Sequence, residues 1–298
     1  EHRKFEFVMG LMKVVERSVS LEFDRDHAFA MQKSVQKLYD RVVDGWHVRT
    51  VDAYSVEGAA ILMEKAPGVG ARKVLEEDPK TYREALGALW KVEDEVLRGV
   101  DQSGNSRPVA LHANPDLHDG QVLIDKATKT VTFIDFGQAI ELSNTQRELG
   151  IDLLRLVSLK TSAASAKALL NRAAAADGKN VSFDEAELGL ILSRTDRMDK
   201  FVRIVSYVER SGLDLPLSSI HWVLAANRLI KLGAKIGIKA EISYGALVLS
   251  RRLGISLERI NKGVAVISET RARVANVFRA GAQRTDSINS CAASIDKN

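Results

Sequence analysis

Proline is scarce in this chain of 298 residues, with five in all, aromatic residues make up 6%, and there is a single cysteine, Cys291. A lone thiol in a polar tail excludes a disulfide framework, suits a reducing, cytoplasmic setting, and makes a poor nucleophile candidate. No stretch reaches the roughly 18 unbroken apolar residues of a membrane span, and the opening "EHRKFEF" lacks the apolar centre of a signal peptide. With so few aromatics there are none clustered among the basic residues to stack bases, which argues against nucleic acid as a partner. Internal repeats, heptad arrays and low-complexity segments are also missing.

What is there can bury a substantial core: 45% of residues are hydrophobic, enough for one large domain or two lobes sharing a cleft. The net charge of +4 is unevenly spread, with 15 Lys/Arg against 6 Asp/Glu between Asp199 and Arg284. A basic half of this kind can attract nucleotide phosphates or acidic lipid headgroups; the plainer reading is cationic outer faces of ordinary helices.

Apolar residues recur at helical spacing from Phe5 to about Val42, as one long helix or two in sequence, with Glu22 and Asp26 one turn apart on the same side. "WHVRTVDAYSV" and "GAAILMEK" then read as an antiparallel strand pair, and "KAPGVGARKVLEEDP" as a linker whose Gly68 and Gly70 serve helix entry, since no Gly-Lys-Ser/Thr follows. "KTYREALGALWKVEDEVLRGV" is helical and closed by Gly99, and "DQSGNSRP" is a loop. "QVLI" and "TVTFID" form two short strands about the turn "DKATK", and everything after Leu142 is helical in pattern up to a polar tail. Trp46, Trp90 and Trp222 fall in apolar patterns and read as core.

The stretch "LHANPDLHDGQVLIDKATKTVTFIDFGQAI" concentrates the chemistry. A loop that ends in a strand, then a tight hairpin, returns its two ends to one place, so Asp116 and Asp135 can face one cleft, with Gln121 opening the first strand beside them. Asp116, an amide five positions on, and Asp135-Phe136-Gly137 follow the kinase scheme of a catalytic-loop aspartate, an amide metal ligand and a metal-binding aspartate. In that scheme Asp116 is catalytic, and Gln121 and Asp135 hold magnesium on ATP. The plain alternative is a β-hairpin whose aspartates cap turns. His118 reads as a structural histidine, Asp119 as a solvated carboxylate, and Asp152 either anchors the catalytic loop or is simply exposed.

The region resembles the UbiB-like, or aarF domain-containing, family of atypical kinases, whose catalytic loop reads roughly His-Ala-Asp-Pro-His-Pro-Gly-Asn before a strand and an Asp-Phe-Gly. "HANPDLHDGQVLI" matches when Asp116, His118, Gly120 and Gln121 take the family's Asp, His, Gly and Asn, with two extra residues after Ala113; the other register sets Asn114 on the catalytic position. Aminoglycoside phosphotransferases share a similar loop. "LEFDRDHA" resembles the family's Glu-x-Asp motif at Glu22 and Asp24, with Asp26 a looser counterpart of the next acid. "AAILMEKAPG" resembles its gatekeeper and hinge, which implies Met63 as gatekeeper and Glu64 and Ala66 offering backbone groups to adenine. "YVERSGLDLPLSSIHWVLAANRLIKLG" resembles its late helical segment.

The resemblance implies an α+β, protein-kinase-like fold: a partial N-lobe over 1–66, a predominantly helical C-lobe over 67–285 and a polar tail over 286–298. It implies ATP and Mg as cofactors, phosphoryl transfer or ATP hydrolysis tied to isoprenoid-quinone or lipid metabolism, and contact with a membrane surface through the basic late helices. Three features depart from the family. No glycine- or alanine-rich strand-turn-strand and no pairing lysine precede Glu22, the lysine-glycine-glutamine signature is missing, and Gln121 stands where the family has Asn. The chain is then a piece lacking much of its N-lobe, or a degenerate member. Two rivals stay open: a non-catalytic pseudokinase acting as a binding module, and a small-molecule phosphotransferase of the aminoglycoside or choline type.

Overall fold

A computed structural model describes residues 2–57, 60–99, 111–158, 161–239 and Tyr244. The loop expected at 101–108, the helix expected over 256–281, the tail over 286–298 and Cys291 lie outside the described residues. The chain divides into Glu1–Val248 and Leu249–Asn298, and all described residues belong to the first unit.

The apolar period that opens the chain resolves into two helices, α1 (His2–Glu22) and α2 (Arg25–Tyr39). Asp24 makes the break: its backbone is extended and its carboxylate accepts the His27 N–H at 3.0 Å, an N-cap that starts a new helix. Glu22 therefore ends one helix and Asp26 begins the next, which corrects the expectation that they share a helical face.

Strand β1 (Arg41–Val43) turns back into β2 (Trp46–Thr50) through Asp44 and Gly45, with φ of 51° and 76°. Two consecutive positive φ values are what a two-residue hairpin loop requires. Next come β3 (Ala53–Glu57) and β4 (Ala60–Met63), paired antiparallel, then β5 (Val69–Gly70), α3 (Ala71–Glu77) and α4 (Pro79–Arg98). Strands β6 (Leu111–Ala113), β7 (Val122–Asp125), β8 (Thr130–Phe133) and β9 (Ile140–Leu142) follow. The helices α5 (Asn144–Ser158), α6 (Ala163–Ala176), α7 (Glu185–Leu192), α8 (Arg197–Arg210) and α9 (Leu217–Ile236) complete an α+β architecture.

The expected strand pair is half of what forms. β3 and β4 do pair, but Trp46–Thr50 belongs to a five-stranded mixed sheet of order β1-β2-β8-β7-β5, in which β2 runs parallel to β8. Trp46, Val48 and Thr50 are buried and all four residues of β8 are buried, so these two strands gain by lying together at the sheet centre. That sheet takes strands from both sides of the expected division at 66/67. Gly68 marks its closest approach, with a φ of 93° and an added Cβ falling 2.4 Å from the Ile124 carbonyl carbon, so the linker needs glycine there for contact as well as for a turn.

Helix α4 starts on Asp78, whose carboxylate accepts the Thr81 N–H, carries Pro79 in its first turn and stops at Gly99 in the left-handed conformation. It supplies Tyr82, Leu86 and Leu89 to the core that also takes Phe133 of the sheet and Trp222 of α9. All three tryptophans are buried, and the indole N–H groups of Trp90 and Trp222 donate to Leu229 O and Leu97 O. Among the described residues no helix is long and apolar enough to cross a membrane.

Candidate functional site

β6 and β9 pair antiparallel, Leu111 opposite Leu142, and so draw together the loops that follow the first and precede the second. β7 and β8 close the same segment as a hairpin, Val122 opposite Phe133. The two ladders hold residues 114–121 and 134–139 side by side. Asn114 stitches them: its Nδ2 donates to Asp135 O at 2.9 Å, and its Oδ1 accepts the Asp116 N–H at 3.0 Å. Both residues border a cavity of about 240 Å³, but Asn114 is buried and its amide is committed to backbone, whereas the Asp116 side chain is 36% exposed. Of the two registers, only the one that puts the carboxylate at Asp116 gives a carboxyl able to meet a ligand.

Gln121 ends a short 3₁₀ turn, Asp119–Gln121, and its amide lies between two acids: Nε2 donates to Asp116 Oδ2 at 2.9 Å and to Asp135 Oδ2 at 3.0 Å. Its Oε1 is buried with no hydrogen-bond partner. An orphaned buried oxygen is costly, by about 1–3 kcal/mol. Turned over, the same amide would set that oxygen against the two carboxylates, which then need a cation or a proton between them and it. With the amide in that orientation, Asp135 and the Gln121 oxygen could serve as hard oxygen ligands of the type magnesium takes, in small number because it keeps waters and substrate phosphates in its shell, with the Asp116 carboxylate beside them. Among the described residues there is no group of three or more His, Cys, Asp or Glu arranged as a protein-only metal cage.

Asp135 is held from its other side, Oδ1 accepting the Gly137 N–H at 3.0 Å. Phe136 turns inward and packs edge-on against Tyr39 of α2 at 5.3 Å and Phe133 at 4.7 Å, which fixes the carboxylate before it towards the cavity. The segment beyond is tied to the first two helices: His27 Nε2 lies 2.8 Å from Ala139 O, and Gln138 Nε2 donates to Glu22 Oε2 at 3.1 Å.

Of the expected site residues, the structure gathers Glu22, Met63, Asp116 and Asp135 around this one cavity, with Gln121 bonded to both aspartates. Glu64 and Ala66 do not line it. The Glu64 carboxylate forms a two-point pair with Arg49, and its N–H donates to Asp52 O at 2.8 Å, so the expected hinge donor is already used. No lysine or arginine lines the cavity among the described residues; Glu22 meets Gln138 instead.

Several contacts escape sequence reasoning. Asp119 is not a solvated carboxylate: its side chain is 11% exposed and meets Lys235, Arg72 and the Tyr82 hydroxyl. Burial works to raise its pKa, and Lys235 with Arg72 outweighs that, holding the carboxyl below its ordinary range. Lys235 lies 116 positions downstream, with nothing local to announce it. His118, expected as a structural histidine, accepts the Gly120 N–H on Nδ1 at 3.0 Å and has Nε2 3.7 Å from Asp116 Oδ2; an added Cβ at Gly120 would strike its ring at 2.8 Å. Asp152 has Arg155 at 3.9 Å. Comparison with protein-family models and with curated proteins gives no match for this chain.

Proposed function

We propose that the protein binds ATP with magnesium at the Asp116–Asp135 cavity, in a protein-kinase-like arrangement of the UbiB-like kind, and transfers or hydrolyses the terminal phosphoryl group. The observation that carries the reading is the Gln121 amide set between two carboxylates with its oxygen buried and unsatisfied. A cavity of about 240 Å³ is smaller than the roughly 300–1,000 Å³ of whole-ligand pockets, so it suits the phosphate end of a nucleotide, with adenine extending beyond it past Met63 on its wall.

Magnesium, when bound, would neutralise phosphate charge and bridge the phosphates to the protein. Asp135 and the Gln121 oxygen would hold it. Asp116, aligned by Asn114, accepts the proton of the attacking hydroxyl or water, at a carboxylate that the Gln121 N–H otherwise occupies. Glu22 adds a third carboxylate to the lining, so the cavity repels a bare polyphosphate and nucleotide binding depends on the divalent cation.

Calorimetry of ATP with and without magnesium tests this beside Asp135→Asn. The expected result is binding that requires magnesium and weakens at least about tenfold in the variant, the loss of one charged ligand. Equal binding without magnesium, or full affinity in Asp135→Asn, rejects the site. A second reading, nucleotide binding without turnover, is favoured by Gln138 in place of a lysine at Glu22. Magnesium-dependent binding with no ADP released on prolonged incubation would select it.

A further inference from the structure

The short 3₁₀ turn that delivers Gln121 has no apolar anchor of its own. Leu117 and Val122 on either side are buried, but His118, Asp119 and Gly120, between Leu117 and Gln121, bring no apolar side chain to the core. Polar ties place the turn instead. Through the backbone, the Gln121 N–H donates to His118 O and the Gln121 carbonyl accepts the Ile134 N–H, both at 3.1 Å. Through a side chain, Asp119 is held from three elements, with its carboxylate 11% exposed. Lys235, in the last turn of α9, pairs with Oδ2, the Tyr82 hydroxyl of α4 donates to the same oxygen at 3.3 Å, and Arg72 Nε of α3 donates to Oδ1 at 3.5 Å.

The three ties are unequal. Arg72 is 73% exposed and its bond is long, so water competes for it. Lys235 meets the same oxygen as the hydroxyl of Tyr82, a fully buried residue, and its ammonium stands 5.4 Å from the centre of that ring. Lys235 is thus the cation that ties Asp119 to the core. Two positions further along the chain, the Gln121 amide has to reach Asp116 Oδ2 and Asp135 Oδ2 together, at 2.9 and 3.0 Å. A hydrogen bond is lost by about 3.5 Å, so a displacement of the turn by about 0.5 Å is enough to break one of the two.

We propose that Lys235, acting through Asp119, is a positioning residue of the nucleotide site: it fixes the turn from which Gln121 reaches the two aspartates. The inference rests on the reading of Asp116, Gln121 and Asp135 as the magnesium and phosphate site. To that site it adds a group 116 positions away from Asp119, on a helix that contributes no residue to the cavity lining. Groups that hold a metal ligand in place are costly to lose, typically about 10–100-fold in metal affinity.

The test compares the whole chain with Lys235→Met, Lys235→Arg and Asp119→Asn by two readouts. The first needs no ligand: the side-chain amide signal of Gln121 in a nitrogen–proton correlation spectrum, identified by its absence from Gln121→Glu. Held between two carboxylates, its protons should lie downfield of solvent-exposed glutamine amides. They should move towards those in Lys235→Met and Asp119→Asn, while Lys235→Arg, which restores the cation, keeps the parent position. The second readout is the magnesium concentration that half-saturates ATP binding. It should rise about tenfold in Lys235→Met and in Asp119→Asn, with the double variant no worse than either single one, because the two residues act as a unit. Methionine keeps the apolar stem of a lysine that is 44% exposed, so Lys235→Met should fold. A merely structural pair would lower the melting temperature and leave both readouts unmoved in the folded protein. Either an unmoved amide signal or an unchanged magnesium requirement in Lys235→Met overturns the proposal. If the parent protein binds no ATP, the nucleotide reading fails by itself and the amide signal alone decides for or against Lys235.

Discussion

Glu93 and His221 are buried ionisable groups whose pKa values are moved by the same cause in opposite directions. Burial lifts the Glu93 carboxyl from 4.5 to about 7, and lowers His221 from 6.5 to about 4. Between about pH 4.5 and 7 folded Glu93 keeps a proton that the unfolded chain has released, so stability present below 4.5 is lost as pH rises towards 7. His221 runs the other way: between about 6.5 and 4 the unfolded chain takes up a proton that the folded side chain refuses, so stability is lost as pH falls. Over the shared window the two slopes offset one another. Glu93→Gln keeps an acceptor for the Tyr39 hydroxyl and removes one slope. The stability of this variant relative to the parent, from urea midpoints between pH 4.5 and 7.5, should rise by about 3 kcal/mol across the window; a difference that does not move with pH would clear Glu93 of the assignment. Neither burial was legible in the sequence, where Glu93 sits among Asp94 and Glu95 like any charged helix face. Asp116, Gln121 and Asp135 could be expected together because the strand-hairpin-strand pattern returns their loops to one place, while Lys235 and Arg72 around Asp119 came only with the fold.

Elements were readable where local signals are complete. "QVLI" and "TVTFID" carry β-formers on either side of a polar turn and became β7 and β8, and α4 has a capping aspartate, a proline and a terminal glycine to mark it. β6 and β9, three residues each, are too short to show a period, and the parallel pairing of β2 with β8 has no turn between its partners to signal it. Gly150 shows the same gap between helices. Within the pattern of α5 it looks like a weak helix former, yet an added Cβ would stand 3.0 Å from the Trp222 ring and 3.2 Å from Ser219 O of α9. Alanine gains about 1 kcal/mol of helix propensity over glycine. Here the neighbours cannot yield: Trp222 is fully buried with its indole N–H on Leu97 O, and Ser219 O belongs to helix backbone. Overpacking costs typically 1–3 kcal/mol, so Gly150→Ala should lower stability on balance, by about 1 kcal/mol in urea titration. A gain in stability would mean that α5 and α9 slide apart freely.

At the scale of the molecule, the residues expected to form a partial N-lobe share a sheet and helix contacts with those that follow them. β2 lies beside β8 in the five-stranded sheet, and α1 packs on α8 and reaches α9, with Ser18 Oγ 3.3 Å from His221 Nε2. Arg17 of α1 adds a further tie. Its guanidinium donates to Glu209 Oε1 at 2.7 Å and to Leu215 O at 3.2 Å, and Glu209, 1% exposed at its side chain, accepts the Leu215 N–H with the same oxygen. Removing one partner of a buried ion pair strands the other charge away from water, which costs about 3–5 kcal/mol when both are enclosed and less for an arginine 35% exposed. Arg17→Met keeps the apolar stem and deletes the charge, and should cost about 2–3 kcal/mol. Because the sheet and α1 join both parts of Glu1–Val248, that loss should lower one shared transition rather than release the first helices alone. The check is urea unfolding followed by far-ultraviolet dichroism and by tryptophan fluorescence, which reports Trp46 in the sheet and Trp90 and Trp222 in the helices. Coincident curves shifted together fit a single cooperative unit, whereas an early helical transition that leaves the fluorescence unchanged would show the leading helices to be a lobe of their own.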